Sequence, residues 1–377
     1  MVINFAFFTN IFDILLSLSA MKFFGKIGTV LAVCAALAFA DAEEAAAENF
    51  QRYSVVPILG YTEETEFQIG VMALLFLKPE ELGGLVPEIG LTAYGSTRGQ
   101  LQLALEPYYY LYKDQVSAWG LLKYQDWVAG YYGRGNDPDI DVLTNFNRRK
   151  FQLGMRLESR IGLPSTLKYG VEIHVERSDI DFEEGDIEDL PDDHSGWRNG
   201  AGYLLGYDSR DNTNWTRHGF LAQWQQMFYS DRLGDYTFDI ETLDLRGYTS
   251  LSKKTTTAVG LLWMRSAGDV PFDMLAGPDG ICRFRGVESL YFGDNQALIV
   301  QTELRQYIWW RLGGHLFFEG GKSGRHFGEL LENRWHRSVG AGALLGLNLK
   351  QNLFARADFS WVDFDHLGLS FYVRQAF

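Results

Sequence analysis

The chain has 377 residues, of which 46% are hydrophobic and 15% are aromatic, and its formal net charge is −14. This composition is too apolar and too aromatic for a disordered chain. The 48 acidic residues outnumber the 34 basic ones, which argues against nucleic acid as a partner because phosphate backbones attract a net basic surface. Two cysteines can build neither a disulfide scaffold nor a four-cysteine metal site. After residue 40 no apolar run approaches the roughly 18 to 20 residues that a membrane-spanning helix requires, so a helical membrane protein is excluded.

The N-terminal residues have the character of a targeting segment. A basic stretch follows Met21, which fits an initiator, and an apolar stretch then leads to the small-x-small cleavage site Ala38-Phe39-Ala40. We therefore expect residues 1–40 to be an N-terminal extension and signal peptide, with the mature chain starting near Asp41. The acidic, alanine-rich residues 41–51 are predicted to be a linker.

Polarity alternates with a period of two along the rest of the chain, residues 52–377. In residues 151–160, for example, Phe151, Leu153 and Met155 alternate with Gly154, Arg156 and other polar or small residues. A membrane barrel produces this pattern because successive side chains of a strand point to opposite faces. A soluble β-sandwich alternates as well. Glycine-rich polar faces and aromatic residues at segment ends favour the membrane barrel.

Sixteen such segments are recognisable, an even number, as a closed single-chain bacterial barrel requires when both termini lie in the periplasm. Their predicted bounds are 52–60, 66–78, 86–96, 99–112, 115–125, 145–161, 165–178, 198–210, 217–230, 235–248, 254–267, 294–306, 311–320, 335–350, 351–361 and 366–377. The long connections, near 126–144, 179–197, 268–293 and 321–334, all follow odd-numbered segments, as external loops should. The predicted fold class is all-β: a closed transmembrane antiparallel β-barrel over residues 52–377.

The last segment resembles the signal by which bacterial outer-membrane proteins are recognised for assembly. Phe371, Val373 and the terminal Phe377 share one apolar face of this segment. Together with the secretory signal, this ending predicts an integral protein of the Gram-negative outer membrane. The partners expected on this ground are outer-membrane lipids and lipopolysaccharide, and the barrel assembly machinery during biogenesis.

The connection after the eleventh segment contains Phe284-Arg285-Gly286-Val287, followed by Glu303-x-Arg305 and then by Glu319 near the end of the thirteenth segment. This arrangement resembles the bacterial surface antigen family, the barrel superfamily that contains BamA and TamA. In that family an Arg-Gly-aromatic tip on the sixth external loop folds into the lumen, where the arginine meets acidic residues of the next two strands. The resemblance implies that Arg285 is held in this way by Glu303 and Glu319. Two departures are Val287, where the family has an aromatic residue, and Glu319, where it has aspartate.

Two further motifs in the chain support the resemblance, which covers nearly all of residues 52–377. The family's DTRDN…G turn is matched by Asp208, Arg210, Asp211, Asn212 and Gly219, and its G-x-G-N loop by Tyr132-Gly133-Arg134-Gly135-Asn136.

Strand parity bears on the same residues independently of the family. Glu303 shares its face with Gln301 and Arg305, so it is predicted to point inward, and Glu319 has the parity of His315. An arginine between the two carboxylates would form a buried ion cluster. The alternative is that Arg285 is a solvated loop residue and that Glu303 pairs only with Arg305.

The resemblance implies a non-enzymatic function, namely assistance in inserting or translocating proteins, or in moving lipid, at the outer membrane. A passive pore for small solutes is the alternative, with the inward charges acting as a selectivity ring. No catalytic motif, nucleotide site, metal site or cofactor site is recognisable. Well-known family members carry periplasmic POTRA domains ahead of the barrel, whereas only a short linker stands here. We therefore expect a member without POTRA domains, for which a periplasmic partner could supply a POTRA-like module.

Overall fold

In the computed structural model the chain forms one sheet of antiparallel strands. The structure describes residues 53–62, 66–79, 85–138, 144–161, 167–183, 194–280, 282–349 and 352–373. The predicted signal peptide, the predicted linker and Phe377 lie outside these residues.

The described residues contain sixteen strands, and each one pairs with its neighbours in chain order. The strands are β1 (Tyr53–Thr62), β2 (Glu66–Phe76), β3 (Glu88–Ser96), β4 (Leu101–Leu111), β5 (Val116–Tyr131), β6 (Thr144–Ile161), β7 (Leu167–Phe182), β8 (Gly196–Asp208), β9 (Gly219–Tyr229), β10 (Phe238–Ser250), β11 (Thr255–Gly268), β12 (Gln296–Trp309), β13 (Leu312–Gly324), β14 (His336–Asn348), β15 (Leu353–Val362) and β16 (His366–Val373). A 3-10 helix (Phe272–Met274) follows β11, and one α-helix, α1 (Phe327–Glu332), follows β13. The number of strands and their antiparallel order were predicted correctly.

The two faces of the sheet have the reverse of the polarity expected in water. On β6 and β7 the apolar side chains of Met155, Leu157 and Val171 are 53%, 50% and 58% exposed. Charged residues on the other face are buried: Glu176 is 2% and Arg198 0% exposed. We call the face that carries Glu176 and Arg198 the inner face and the opposite one the outer face. Exposed apolar residues opposite buried charges exclude a soluble sandwich, whose apolar face would be the buried one.

This polarity is inverted at the ends of β5, β6 and β7 that lead into the loops after β5 and β7. There the inner face carries the apolar side chains of Tyr131, Phe146 and Ile180, which pack against the 3-10 helix after β11. The outer face carries charged pairs instead, such as Arg177 with Asp179. The sequence prediction assumed apolar residues outside, and it therefore ended the fifth and seventh segments at 125 and 178 instead of Tyr131 and Phe182.

The sheet is strongly curved, because the loop after β11 touches strands that lie far apart in the sheet order. Asp273 of this loop bonds Arg148 on β6 and Arg198 on β8, at 3.2 and 2.9 Å. The same loop bonds strands β12 to β15, as described below. The end strands β1 and β16 contact each other, and the pairing ladders of the described residues join consecutive strands only. No helix among the described residues is long and apolar enough to cross a membrane.

Candidate functional site: a buried ion cluster under the loop after β11

Arg285 lies at the tip of the loop over residues 269–295 and is completely buried. Its Nη1 donates to Glu303 Oε2 on β12 at 2.8 Å, and its Nε donates to Glu319 Oε1 on β13 at 2.7 Å. The backbone N–H of Arg285 donates to the other oxygen of Glu319, at 2.6 Å. The structure thus brings Arg285 together with Glu303 and Glu319 and buries its guanidinium away from solvent.

Two further strands hold the same residue. Asp358 on β15 accepts a hydrogen bond from Arg285 Nη1 at 3.1 Å, and Ser338 on β14 donates its hydroxyl to the Arg285 carbonyl at 2.7 Å. The guanidinium lies 3.5 Å from the centroid of the Phe317 ring, a cation–π contact. Burial alone would lower the pKa of Arg285, but the charges of Glu319 and Glu303 raise it well above its ordinary value. The loop tip is thus bound to four consecutive strands by a charged arginine.

Two further arginines balance the charge of the carboxylates. Arg305 Nε donates to Glu303 at 2.7 Å, and Arg356 Nη2 donates to Asp358 at 2.6 Å. The cluster contains three arginines and three carboxylates, Arg285 with Arg305 and Arg356 against Glu303 with Glu319 and Asp358, so its formal charge is zero. All six side chains are buried. Glu303 therefore pairs with Arg305 and with Arg285 together.

The residues on either side of Arg285 fit the loop to the strands. Phe284 has a positive φ of 64° and packs with Phe292 in an apolar cluster against which Val287 also lies. Gly286 has a φ of 95°, and a Cβ there would stand 2.5 Å from the Ser360 Cβ on β15. A Cβ at Gly368 on β16 would stand 2.4 Å from the Cα of Gly286. Only glycine permits both the conformation and this approach of loop and strands.

Sequence reasoning missed several members of this site. Arg283 donates to Asp244 on β10 at 2.6 Å and to Gln301 on β12 at 2.7 Å. Gln301 shares the inward face predicted for Glu303, and Arg356 and Asp358 share one face of β15, but parity does not indicate that the loop tip reaches them. Nothing in the sequence marked Asp244 or Ser338.

The turn motif forms a separate site after β8. Asp208 pairs with Arg210 at 2.9 Å, and the Asp211 carboxylate accepts the N–H groups of residues 217 and 218. Asn212 Oδ1 accepts the N–H groups of residues 214 and 215, both at 2.8 Å. Gly219 has a φ of 112°, and a Cβ there would stand 2.3 Å from the Ser209 carbonyl oxygen.

These hydrogen bonds hold the turn between β8 and β9 in a conformation that places Trp215 against strands far from it in the sheet order. Its ring centroid lies 4.5 Å from that of Phe354 on β15, and Leu344 on β14 completes a buried apolar cluster. The turn between β8 and β9 therefore reaches across the concave side of the sheet to β14 and β15.

The G-x-G-N loop contacts the loop after β11. Arg134 donates to Asp294 at 2.8 Å, and the Gly135 N–H donates to the Gly293 carbonyl at 2.9 Å. Asn136 accepts the Ser323 N–H at 2.7 Å and donates to the Arg334 carbonyl at 3.0 Å. These bonds connect the loops after β5, β11 and β13.

The predicted assembly signal is only partly described. Phe371 is 54% exposed on the outer face of β16, and Val373 packs against the cluster of Leu74, Phe76 and Leu353. Phe377 lies outside the described residues. The role of these residues in assembly stays a prediction.

A comparison with known protein families matches residues 88–361 to the Omp85 superfamily domain. The chain belongs to the Omp85 superfamily. The resemblance to the BamA and TamA barrels is thereby confirmed, and the relatives of this Omp85 chain are β-barrel proteins of the outer membrane. No match was found among curated proteins.

Solved structures with the same fold include two kinds of outer-membrane barrel. BamA from Haemophilus ducreyi lacking POTRA domains 1–3 is similar with a TM-score of 0.55 and 14% identity, over 86% of this chain and 70% of that one. CdiB from Acinetobacter baumannii is similar with a TM-score of 0.53 and 13% identity, and CdiB from Escherichia coli with 0.56 and 11%. The matches cover 86% of this Omp85 chain but only 60% and 63% of the two CdiB chains. At these identities the likeness concerns the fold alone.

Proposed function

We propose that the sheet closes into a sixteen-stranded transmembrane barrel of the outer membrane with both termini in the periplasm. In this arrangement the loop over residues 269–295 is the sixth external loop, and it occupies the lumen. Three observations support the proposal: the contact between β1 and β16, the exposed apolar outer face, and the bonds from this loop to strands around the sheet. The predicted signal peptide over 1–40 and linker over 41–51 belong to the same proposal.

The barrel would act without catalysis, by assisting the insertion or translocation of proteins, or the movement of lipid, at the outer membrane. The observation that carries this proposal is that β1 and β16, although in contact, are joined by no pairing ladder among the described residues. A weakly paired strand edge can bind another strand through its free backbone groups. The seam between β1 and β16 would be the place where a client strand or a lipid enters.

A passive pore is the second candidate, favoured by the charged inner face. The loop over 269–295 and the turn that carries Trp215 both lie across the concave side of the sheet, and both would obstruct such a pore. We therefore prefer the first function.

The proposed partners follow from the location. Outer-membrane lipids and lipopolysaccharide would surround the outer face, and the assembly machinery would recognise Phe371, Val373 and Phe377 during biogenesis. A periplasmic protein with a POTRA-like module would deliver clients to the barrel.

Proteoliposomes test this function directly. A urea-unfolded eight-stranded outer-membrane barrel is added to vesicles that contain the chain, and its folding is followed by the shift of the unboiled band on a gel. Dithionite bleaching of a fluorescent lipid headgroup reports lipid movement in the same vesicles. We expect faster folding or faster lipid movement than in vesicles with a passive porin. Equal rates in both assays, together with a steady open current, would establish the passive pore.

A further inference from the structure

The loop after β13, residues 325–335, folds back over the outer face of the sheet. A Cβ at Gly320 of β13 would stand 3.1 Å from the Trp335 ring and 3.2 Å from the Val300 side chain. Gly320 has the parity of the exposed residues Leu316 and Phe318, so Trp335 lies on the outer face. This loop is thus placed outside the sheet, whereas the loop after β11 lies on the inner side.

Helix α1 is fixed in this position by several bonds. Lys322 also has outer-face parity, yet it is only 4% exposed, because its Nζ donates to the Leu331 carbonyl at 2.9 Å and lies 4.7 Å from the centroid of the Trp335 ring. Leu330 is completely buried against Gly324. Asn333 donates its side-chain amide to the Ser323 carbonyl at 2.8 Å. The helix therefore has a defined orientation on β13.

Several apolar side chains of the loop point away from the sheet, among exposed charged residues such as Glu332 and Arg334. Phe327 and Leu331, one helical turn apart, are 59% and 57% exposed, and Trp335 is 39% exposed. Trp335 lies over Gly320, two positions from Phe318, and it thereby extends the exposed apolar surface of Leu316 and Phe318 on that strand, which are 60% and 47% exposed. Water would disfavour such a continuous patch, whereas acyl chains would not.

Charged residues accompany this patch at its edge. Arg337 is exposed on β14, where it is the register partner of Gly320, and Arg325 is exposed just before α1. Helices that lie in a membrane interface carry apolar residues toward the acyl chains and basic residues near the phosphates.

We propose that α1 lies in the interfacial region of the outer leaflet, with Phe327, Leu331 and Trp335 inserted among the acyl chains of lipid. This inference rests on the proposed barrel, whose outer face would be covered by the same lipid. Helix α1 then fixes the depth and rotation of the neighbouring strands β12 to β14 in the membrane. Arg325 and Arg337 would contact the lipid phosphates.

Lipid quenching of a site-specific label tests the position of α1. In a chain with Cys34→Ser and Cys282→Ser, a single cysteine is introduced as Leu331→Cys and labelled with bimane. The full chain is reconstituted in phosphatidylcholine vesicles with or without lipid that carries a shallow nitroxide. Glu332→Cys is the matched control on the same helix, because it is exposed but acidic. Phe318→Cys reports whether the outer face of the sheet itself meets lipid.

We expect strong quenching at positions 331 and 318 and weak quenching at position 332. If position 318 is quenched but position 331 is quenched no more than position 332, α1 does not lie in the membrane, although the barrel proposal stands. The apolar patch would then be assigned to a protein partner instead. Absence of quenching at 318 would overturn the barrel proposal and this inference with it. Each residue tested is exposed, so labelling does not require the core to change.

Discussion

At the residue scale, Glu319 departs from the family's aspartate and yet holds the loop tip at two points. Its carboxylate takes both the Arg285 guanidinium and the Arg285 backbone N–H, at 2.7 and 2.6 Å. Two oxygens on one side chain therefore fix the side chain and the backbone of the loop tip at once. The longer side chain does not leave the arginine loosely held, and Val287 replaces the family's aromatic residue while Phe284 and Phe292 fill the adjacent apolar cluster.

Removing the charge of Arg285 tests the cluster. We expect Arg285→Met to lower the free energy of unfolding by about 3 to 5 kcal/mol, because Glu303 and Glu319 would be left buried without their partner. The measurement is the temperature at which the folded band on an unboiled gel disappears. Arg265→Met is the control: Arg265 pairs with Asp239 but is 38% exposed, so its loss should cost less than about 1 kcal/mol. Equal shifts for both variants would contradict the proposed role of the cluster.

A second substitution tests the close approach of loop and strands. Gly286→Ala and Gly99→Ala both place a side chain at a positive φ, 95° and 94°, which costs about 1 to 2 kcal/mol in each case. Only at Gly286 would the new Cβ also meet a neighbour, at 2.5 Å from Ser360, whereas nothing lies within 4 Å at Gly99. We therefore expect protease cleavage within residues 269–295 to increase in Gly286→Ala alone. If residues 269–295 were equally protected from protease in the two variants, the loop would tolerate the displacement that a Cβ at Gly286 imposes.

At the same scale, the sequence predicts part of the site. Parity put Glu303 and Glu319 on the inner face, and the family motif put Arg285 near them. The third carboxylate, Asp358, lies more than seventy positions from Arg285 along the chain. Its participation depends on the curvature that brings β15 under the loop, and a two-residue period carries no information about that curvature.

At the scale of elements, the motif residues of the turn after β8 hold that turn in one conformation through hydrogen bonds. Asp211 and Asn212 bind four backbone N–H groups of the turn, and they thereby hold Trp215 on Phe354 and Leu344. The family motif therefore has a structural purpose here: it orients an aromatic side chain toward β14 and β15.

Trp215→Ala should release this contact. We expect a loss of about 3 to 5 kcal/mol in stability, as is typical of a buried tryptophan, and faster proteolysis of the turn over residues 209–218. Trp310→Ala is the control, because Trp310 is 58% exposed in the turn after β12. Unchanged proteolysis in Trp215→Ala would contradict the view that the aromatic contact holds the turn.

The strands could be predicted from the sequence wherever apolar residues face outward and polar or small residues face inward. The predicted and the observed bounds agree within a few residues for most strands, since apolar residues recur at every second position. The prediction fails at the ends of β5 and β7, where Tyr131 and Ile180 face inward and polar residues face outward. At these ends the apolar residues face inward, as in a soluble protein, whereas along the rest of the strand they face outward. A prediction that assumes one direction for the apolar residues therefore finds only part of such a strand.

The connection between β15 and β16 allows a test by pH. Burial acts to raise the pKa of Asp363, but the hydrogen bonds from His336 and from the Arg337 N–H lower it below its ordinary value of 3.8. A carboxyl group with a lowered pKa stabilises the fold above its ordinary pKa, and this contribution is lost as the pH falls through the lowered value. We expect Asp363→Asn to be less stable than the unmodified chain at neutral pH and equally stable below the lowered pKa. Asp365→Asn, at an exposed position two residues away, is the matched control, and the same pH dependence of stability in both variants would contradict this role of Asp363.

At the scale of the whole molecule, the concave side of the sheet is crossed from two directions. The loop after β11 is bound to β6, β8, β10 and β12 to β15, and the turn after β8 is bound to β14 and β15. Both obstructions end on β15, the neighbour of the edge strand β16. Tyr372 of β16 joins the same network through a hydrogen bond to Asp358. The position of the edge strand is therefore coupled to the loop cluster.

The two obstructions predict how the proposed barrel would conduct ions. In planar bilayers we expect the unmodified chain to give small, infrequent currents, because loop and turn obstruct the interior. Arg285→Met should raise the open current by releasing the loop, and Trp215→Ala should raise it by releasing the turn at the other end. The double variant should give a larger open current than either single variant, since a continuous path for ions needs both obstructions removed. Arg265→Met, which alters a half-exposed pair on the outer face, should leave the current unchanged. A large, steady current that is the same in all five proteins would mean that neither segment blocks the interior, and the passive pore would then be the better account of the molecule.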